Sequence, residues 1–356
     1  MKAVALYPVS STQALQLIEV PVPVQREPGQ VLVKVLAVGL DGTDKELIHN
    51  RTFIPPVNRE WLILGHELLG RVEEVEPGSR LQIGELVTAL VRRPCFAEEC
   101  IHCRSGRSDY CSTGLFTERG INSVDGFLTE YIVEEEQYLV SVPPSLIEAG
   151  VLIEPQSVIE KALESVQYVQ SRLHWQPRKA LILGAGPLGV LAALTCLTMG
   201  YEVDVYSREA PDRPAPMLLR NTGCAYHYGD SGNPTRTPGR KWDLIIECTG
   251  YSPLAFESIT ALSKNGILVI LGVAAETGKV EISTDVLMRS LMVDNQSVIG
   301  SANASRQNFD SAIARLQAIK AQFPAILDQM ITDRISLSQV PELDFTMIGL
   351  KAVVQI

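Results

Sequence analysis

Residues 180–201 read ALILGAGPLGVLAALTCLTMGY, with no charged side chain. A run of that length is long enough to cross a bilayer. Gly184, Gly186, Pro187 and Gly189 break it near its start. The preceding KALIL, Lys179 to Leu183, has the length of a short strand buried on both faces. Pro187 to Met199 has the length and composition of a helix, Gly200 supplies a stop, and YEVDVYS reads as a second strand. Strand, glycine turn, helix and strand make a βαβ unit. The run therefore predicts part of a parallel sheet rather than a membrane span.

GAGPLG matches G-x-G-x-x-G and stands between a strand and a helix, the context that gives this motif meaning. One glycine makes the tight turn, one lets a pyrophosphate approach the backbone, and one lets helix and strand pack closely. Gly184, Gly186, Pro187, Leu188 and Gly189 are therefore candidate dinucleotide contacts, with the phosphates at the positive helix end. At the tip of the second strand such sites place an acid on the ribose hydroxyls. Here the tip is Val205-Tyr206-Ser207-Arg208, and Asp204 stands before it. Ser207 donates a hydrogen bond and Arg208 suits a 2′-phosphate, so NADP is favoured. Glu209 follows and repels a phosphate, which keeps NAD possible, and Arg208 also reads as a solvated loop charge. WDLIIECTG (Trp242 to Gly250) and NGILVILGV (Asn265 to Val273) read as two more strands ending in turns. Ligands bind outside such strand ends, so Thr249, Gly250, Gly272 and Val273 are candidates for the nicotinamide side, each also readable as an ordinary loop residue.

With 356 residues, the chain suits two domains. It is 46% hydrophobic and 20% charged, as for a soluble globular protein. A net charge of −10 argues against nucleic acid as a partner and fits a small-molecule substrate. The first twenty residues lack the apolar run of a signal peptide. Of seven cysteines, Cys196, Cys224 and Cys248 stand alone in apolar surroundings, which favours a reducing, cytoplasmic setting. The other four, Cys95, Cys100, Cys103 and Cys111, are spaced C-x4-C-x2-C-x7-C. Four thiolates so close suit a closed tetrahedral structural zinc. Two disulfides need an oxidising compartment that nothing else here suggests. His102, between two of the cysteines, is a further ligand type that a four-thiolate site does not need.

Two segments upstream carry the ligand types of a catalytic zinc with one open position. GLDGTD holds Asp41, Thr43 and Asp44, and LILGHELLGRVEEV holds His66 and Glu67. Singly, Asp41-Gly42 reads as a turn and Gly-His-Glu as a loop. Together with the four cysteines and the βαβ unit, they resemble the zinc-dependent medium-chain dehydrogenase/reductase superfamily. The chain is most similar to its archaeal-type glucose 1-dehydrogenases, through VRRPC, STGLFTERGINSVDGFLTEY, LIEPQSVIEKALES and GSANASRQNF.

The resemblance implies an α/β protein. A GroES-like β-rich catalytic domain would comprise 1–158 and 303–356, closed by LKAVVQI as a strand. A Rossmann doubly wound parallel-sheet nucleotide-binding domain would comprise 159–302, with the chemistry in the cleft between the two. It implies catalytic zinc on Asp41, His66 and Glu154, with Glu67 beside the metal and Asp44 orienting His66. Zinc would supply Lewis acidity at the C1 hydroxyl of an aldose, D-glucose favoured, which is oxidised to the lactone as NAD(P) is reduced. Thr43 would relay the proton, its alternative reading being a helix-cap hydroxyl. Thr43, Glu118, Glu154 and Asn303 would meet the sugar, and Ser301 and Asn303 the cofactor.

Four departures bear on this. Asp41 stands where many relatives carry cysteine, and an oxygen ligand holds zinc more loosely than a thiolate. The first two cysteines have four residues between them rather than two. Val91 and Val158 stand where glucose enzymes carry asparagine and aspartate, which removes hydrogen-bonding capacity. A different alcohol or polyol is therefore the alternative substrate. A zinc-free enone reductase and a non-catalytic binding protein on the same fold are the remaining alternatives. A homo-oligomer, dimer or tetramer, is expected by analogy, and no membrane partner.

Overall fold

A nearly continuous apolar run, QVLVKVLAVGL, builds the longest described strand, Gln30–Leu40, and a seven-stranded sheet forms around it. The computed structural model describes residues 1–23, 27–229, 232–273 and 278–356. Among them lie two compact units. The first comprises Met1–Ser157, Asn303–Gln317 and Ile331–Ile356, and the second Val158–Ala302 and Ala318–Met330.

In the first unit, Gln30–Leu40 pairs antiparallel with Glu67–Glu74, Tyr131–Glu135 and Lys351–Gln355. Leu139–Ser141 and Leu86–Ala89 extend one side, and Ile331–Ser336 the other. The terminal LKAVVQI does close as a strand, with Lys351 to Val354 all buried. Val4, Leu6, Val33, Val35, Leu62, Leu64, Leu68, Phe127, Leu128 and Val354 meet in its core, each fully buried. Burial of side chains of this size contributes roughly 1.5–3 kcal/mol each.

The second unit holds a six-stranded parallel sheet in the order Ala225–Tyr228, Glu202–Ser207, Lys179–Leu183, Trp242–Glu247, Leu262–Ile270, Ser297–Gly300. This is the doubly wound order, with the first strand of the motif at its centre. The apolar run of 180–201 resolves into strand Lys179–Leu183 and helix Pro187–Thr198. Gly189 through Cys196 of that helix are all buried, so a helix apolar on every side is a core element here. Among the described residues no helix is long and apolar enough to cross a membrane.

One feature of the tail differs from expectation. Residues 318–330 group with the second unit, because helix Ile326–Met330 packs on helix Pro214–Arg220.

A buried charge cluster ties the first unit together. Arg93 and Arg119 both donate to Oε2 of Glu134, at 2.5 and 2.9 Å. Arg93 lies over the Tyr138 ring and also donates to the Leu90 carbonyl. Arg119 donates to the carbonyls of Asp125 and Val133. Burial alone would raise the Glu134 carboxyl, but the two guanidinium charges outweigh it and hold it below the usual range. A depressed carboxyl stabilises the fold above its unfolded pKa, about 4.3, and that contribution fades as pH falls below it. Glu134→Gln should therefore cost about 3 kcal/mol near neutrality, since it strands the buried Arg93 and the half-buried Arg119. In thermal melts from pH 7 down to 3, the gap to wild type should narrow below about pH 4; a gap constant across that range would refute the charge account.

Candidate active site

Three distant segments of the first unit bring the catalytic candidates together. Asp41 caps helix Gly42–Asn50: its Oδ1 accepts from the backbone N–H of Thr43 (2.8 Å) and Asp44 (3.1 Å), and Asp44 returns a bond to the Asp41 N–H. This reciprocal capping box leaves Oδ2 aimed elsewhere. It accepts from the Thr43 hydroxyl at 3.2 Å and lies 3.6 Å from Nε2 of His66. His66 enters on the loop before strand Glu67–Glu74, and Glu154 on the first turn of helix Ile153–Gln170. His66, Glu67 and Glu154 each offer a ligand atom within 4.8 Å of the others, and so do Asp41, Asp44 and His66.

Electrostatics mark this cluster as a cation site. Burial pushes the Glu154 carboxyl up to about 8, His66 pulling it down and Glu67 and Asp41 adding repulsion. Burial likewise raises Asp44 to about 7, against the pull of His66. His66 is raised well above its usual value: burial opposes its charge, but Asp41 and Asp44 prevail. Nδ1 of His66 and Oδ1 of Asp44, 3.8 Å apart, are both buried without a hydrogen-bond partner. Asp44 thus stands on the Nδ1 side of the ring while Nε2 faces Asp41. Carboxylates crowded on one imidazole, with orphaned polar atoms, are the donor set that a divalent ion such as zinc satisfies.

Glu67 is the exception. Its carboxylate pairs with Lys351 Nζ at 2.5–2.6 Å, both side chains fully buried. Burial raises the Glu67 carboxyl, and Lys351 counters it. Lys351 was not legible as a site residue. Its only signal is a lysine at the start of an otherwise apolar strand.

Around Glu118, the structure shows a tie made within the first unit. Its Oε1 accepts from Arg92 Nε at 2.9 Å and from Asn303 Nδ2 at 2.7 Å. Arg92 lies over the Phe116 ring at 3.7 Å. Two of the residues expected at the sugar, Glu118 and Asn303, are therefore directly bonded. Val91 is buried and its carbonyl accepts from Arg119 N–H; Val158 is partly exposed.

In the second unit the cofactor candidates lie at or just after the carboxyl ends of parallel strands, Ser207 being the last residue of its own. Gly184 to Gly189 follow Leu183, Arg208 follows Ser207, Thr249 and Gly250 follow Glu247, Gly272 and Val273 follow Ile270, and Ser301 follows Gly300. The glycines divide as the motif requires. A Cβ on Gly189 would sit 2.1 Å from the Gly184 carbonyl oxygen, so helix and turn touch there. A Cβ on Gly186 would meet nothing within 4 Å, which leaves space at the helix start for a phosphate. The Ser301 hydroxyl is buried without a partner. Arg208 is exposed, 5.5 Å from the Tyr251 ring. Asp204 is a buried structural acid, bonded to Trp242 Nε1 (2.7 Å), His227 Nε2 (2.7 Å) and Arg240 (2.5 Å). It is thus committed within the sheet, and at the tip the Ser207 hydroxyl accepts from the Glu209 N–H at 3.1 Å.

The four cysteines converge despite their uneven spacing. Their sulfurs lie within 4.8 Å of one another, and Cys100 and Cys111 are 3.9 Å apart. Sulfurs 2.3 Å from a tetrahedral zinc stand about 3.8 Å apart. Phe96 takes a left-handed φ of 56°, which turns the longer first loop back, and the short helix Ile101–Arg104 presents Cys103. The Cys95 N–H points at Cys103 Sγ, 3.5 Å away. Hydrogen bonds from Cys103 and Ser112 hold the Cys100 thiol down at about 5, which favours the thiolate. None of the seven cysteines is joined in a disulfide. His102 is not among the converging ligands; its ring stands 6.2 Å from that of Tyr110.

Comparison with known proteins agrees with this geometry. Residues 27–144 match the alcohol dehydrogenase GroES-like domain, and residues 147–356 match the glucose dehydrogenase C-terminus. The chain is 35% identical to a glucose 1-dehydrogenase of Methanocella arvoryzae, over 96% of this chain and 95% of that one. It is 36% identical to glucose 1-dehydrogenase 1 of Caldivirga maquilingensis, over the same shares. Among solved structures it is similar to Haloferax mediterranei glucose dehydrogenase in complex with NADP, Zn and gluconolactone: TM-score 0.92, 29% identity, covering 100% and 99% of the two chains. A GroES-like unit with a buried His–carboxylate cluster, joined to a doubly wound nucleotide unit and matched along nearly its whole length, places this chain in the glucose dehydrogenase family of zinc-dependent medium-chain dehydrogenases.

Proposed function

We propose that the protein is a zinc-dependent glucose 1-dehydrogenase that oxidises D-glucose at C1 to the lactone, with NADP as the favoured acceptor and NAD as a possible one. The gathering of Asp41 on one side and Glu154 on another of the buried His66 imidazole, in a chain of this family, carries the reading. Asp41, His66 and Glu154 would hold a zinc that would supply Lewis acidity at the C1 hydroxyl, and Cys95, Cys100, Cys103 and Cys111 would hold a second that would pin their loop. A nicotinamide held at the strand ends of the second unit would supply the acceptor for the C1 hydride, balanced by loss of the hydroxyl proton as the lactone carbonyl forms. Thr43, whose hydroxyl is held on Asp41, is assigned to carry that proton away. Asp44, 3.8 Å from Nδ1, is assigned to orient the imidazole from that side. Glu118 and Asn303, joined by a hydrogen bond, offer acceptor and donor groups to sugar hydroxyls.

A second reading rests on Val91 and Val158. Neither side chain forms hydrogen bonds, so a sugar or polyol with fewer hydroxyls is the rival substrate. Seven cysteines with no disulfide among them support a reducing, cytoplasmic setting. A homo-oligomer, dimer or tetramer, is supported by the edge of the parallel sheet. Strand Ser297–Gly300 ends the sheet order, and helix Thr284–Val293 buries none of its residues, leaving Val286, Met288, Met292 and Val293 exposed. An edge flanked by apolar side chains invites pairing.

Three outcomes test these readings. Initial rates of zinc-loaded enzyme with NADP should favour D-glucose over D-galactose, D-xylose, sorbitol and simple alcohols, and His66→Ala should lower turnover roughly a hundredfold or more. A stronger rate on another compound would move the substrate assignment, and an active His66→Ala would remove zinc from the chemistry. Gly186→Val should fold with an unchanged Tm yet bind NADPH poorly, whereas Gly189→Ala should lower Tm by forcing helix and turn apart. Equal effects on Tm would contradict the division between the two glycines. By light scattering, Val286→Asp/Met292→Asp should shift the assembly to a smaller species; a monomeric wild type would overturn the oligomer.

A further inference from the structure

We propose that Glu247 is the positioning residue for the nicotinamide end of the dinucleotide, a buried anionic clasp that joins two cofactor-facing loops. The inference rests on the nucleotide site proposed above. Glu247 ends strand Trp242–Glu247 and is 1% exposed. Its Oε1 accepts from the Thr249 N–H (2.6 Å), the Gly250 N–H (3.0 Å) and the Thr249 hydroxyl. That hydroxyl in turn accepts from the Tyr251 N–H at 2.9 Å. Three successive backbone groups after the strand are therefore organised by one carboxylate.

The main chain of the same residue reaches the neighbouring loop. Its carbonyl accepts from the Leu271 N–H at 2.9 Å and the Gly272 N–H at 3.2 Å. The two loops then close on each other without room for a side chain. A Cβ on Gly272 would lie 2.0 Å from Gly250 N and 2.8 Å from Glu247 Oε2, and one on Gly250 would lie 2.2 Å from the Val273 oxygen. The turn also backs onto the phosphate loop, since a Cβ on Gly184 would lie 3.0 Å from Thr249 Cγ2. Oε2 is buried and has no hydrogen-bond partner.

A core position does not need this arrangement. An apolar residue would end the strand without desolvating a charge, and burying a carboxylate with one oxygen unpaired is costly. What the acid adds is a fixed conformation for Thr249–Gly250 and its register against Leu271–Gly272. Charge-assisted bonds to backbone N–H groups hold a turn more firmly than neutral ones. Holding a hydride acceptor in register is where small displacements matter most. Glu247 acts on the cofactor through these loops, by the backbone they present.

The test uses the full-length, zinc-loaded enzyme with two probes. NADPH reports the whole site, and 2′,5′-ADP reports the adenosine half alone. Glu247→Ala should raise the Kd for NADPH and the KM for NADP about tenfold, the loss expected of a turn's main acceptor. It should leave the Kd for 2′,5′-ADP, the KM for glucose and the zinc content unchanged. Glu247→Gln keeps an acceptor and loses the charge, so its NADPH Kd should rise about threefold. A folded Glu247→Ala with wild-type NADPH affinity overturns the proposal, as does a loss shared equally by 2′,5′-ADP, which would mark a general structural role. Should the alanine variant not fold, an unchanged NADPH Kd in Glu247→Gln overturns it. A wild-type enzyme that binds neither probe takes down the nucleotide-site reading itself.

Discussion

Carboxylates taken out of water have to be answered by cations, and the catalytic unit is arranged around that demand. Asp41, Asp44, Glu67 and Glu154 come from three places in the chain and share one buried imidazole. Lys351, on the last strand, answers Glu67 in a pair with no solvent access on either side. Asp41 and Asp44 lean on each other's backbone through a helix cap, and Glu154 is left pushed towards its neutral form. Without a further positive charge, such a cluster repels itself and destabilises the sheet that carries it. With one, the repulsion becomes affinity. The ligand types that suit a zinc ion thus also leave the cluster incomplete alone, and metal binding there would be linked to folding.

The same rule governs the nucleotide unit, with a different result. Asp204 and Glu247 are also buried acids, but their partners are supplied by the fold. Asp204 is closed off by Trp242, His227 and Arg240, and so steadies the sheet rather than meeting a ligand. Glu247 is satisfied on one oxygen by the turn that follows it. Whether a buried acid works as ligand or as architecture depends on whether protein donors reach it. In the first unit Glu134, held by two arginines, belongs to the architectural kind.

Much of this was legible beforehand because it depends on local pattern. KALIL, GAGPLG and YEVDVYS carry their own strand, turn and helix signals, and the parallel sheet formed as they required. The four cysteines announced themselves by spacing close enough for one loop to gather them, even with two extra residues in the first gap. Asp41, His66 and Glu154 were read through resemblance rather than through chemistry, since each alone looks like a turn, a loop or a helix start. Lys351, Arg92 and the commitment of Asp204 left almost no trace, because each depends on a partner 26 or more residues away.

The sequence by itself determined the two kinds of layer, the nucleotide fingerprint and the identity of every ligand type, since hydrophobic period and turn chemistry act within a few residues. Only the tertiary structure decided which acids are free to take a metal and which are already spent. That outcome turns on distances between segments 41, 66, 154 and 351, and a hydrogen bond is won or lost over less than an ångström. Local pattern sets which groups are available; the packing of distant strands sets their partners, and with the partners their charge and their work.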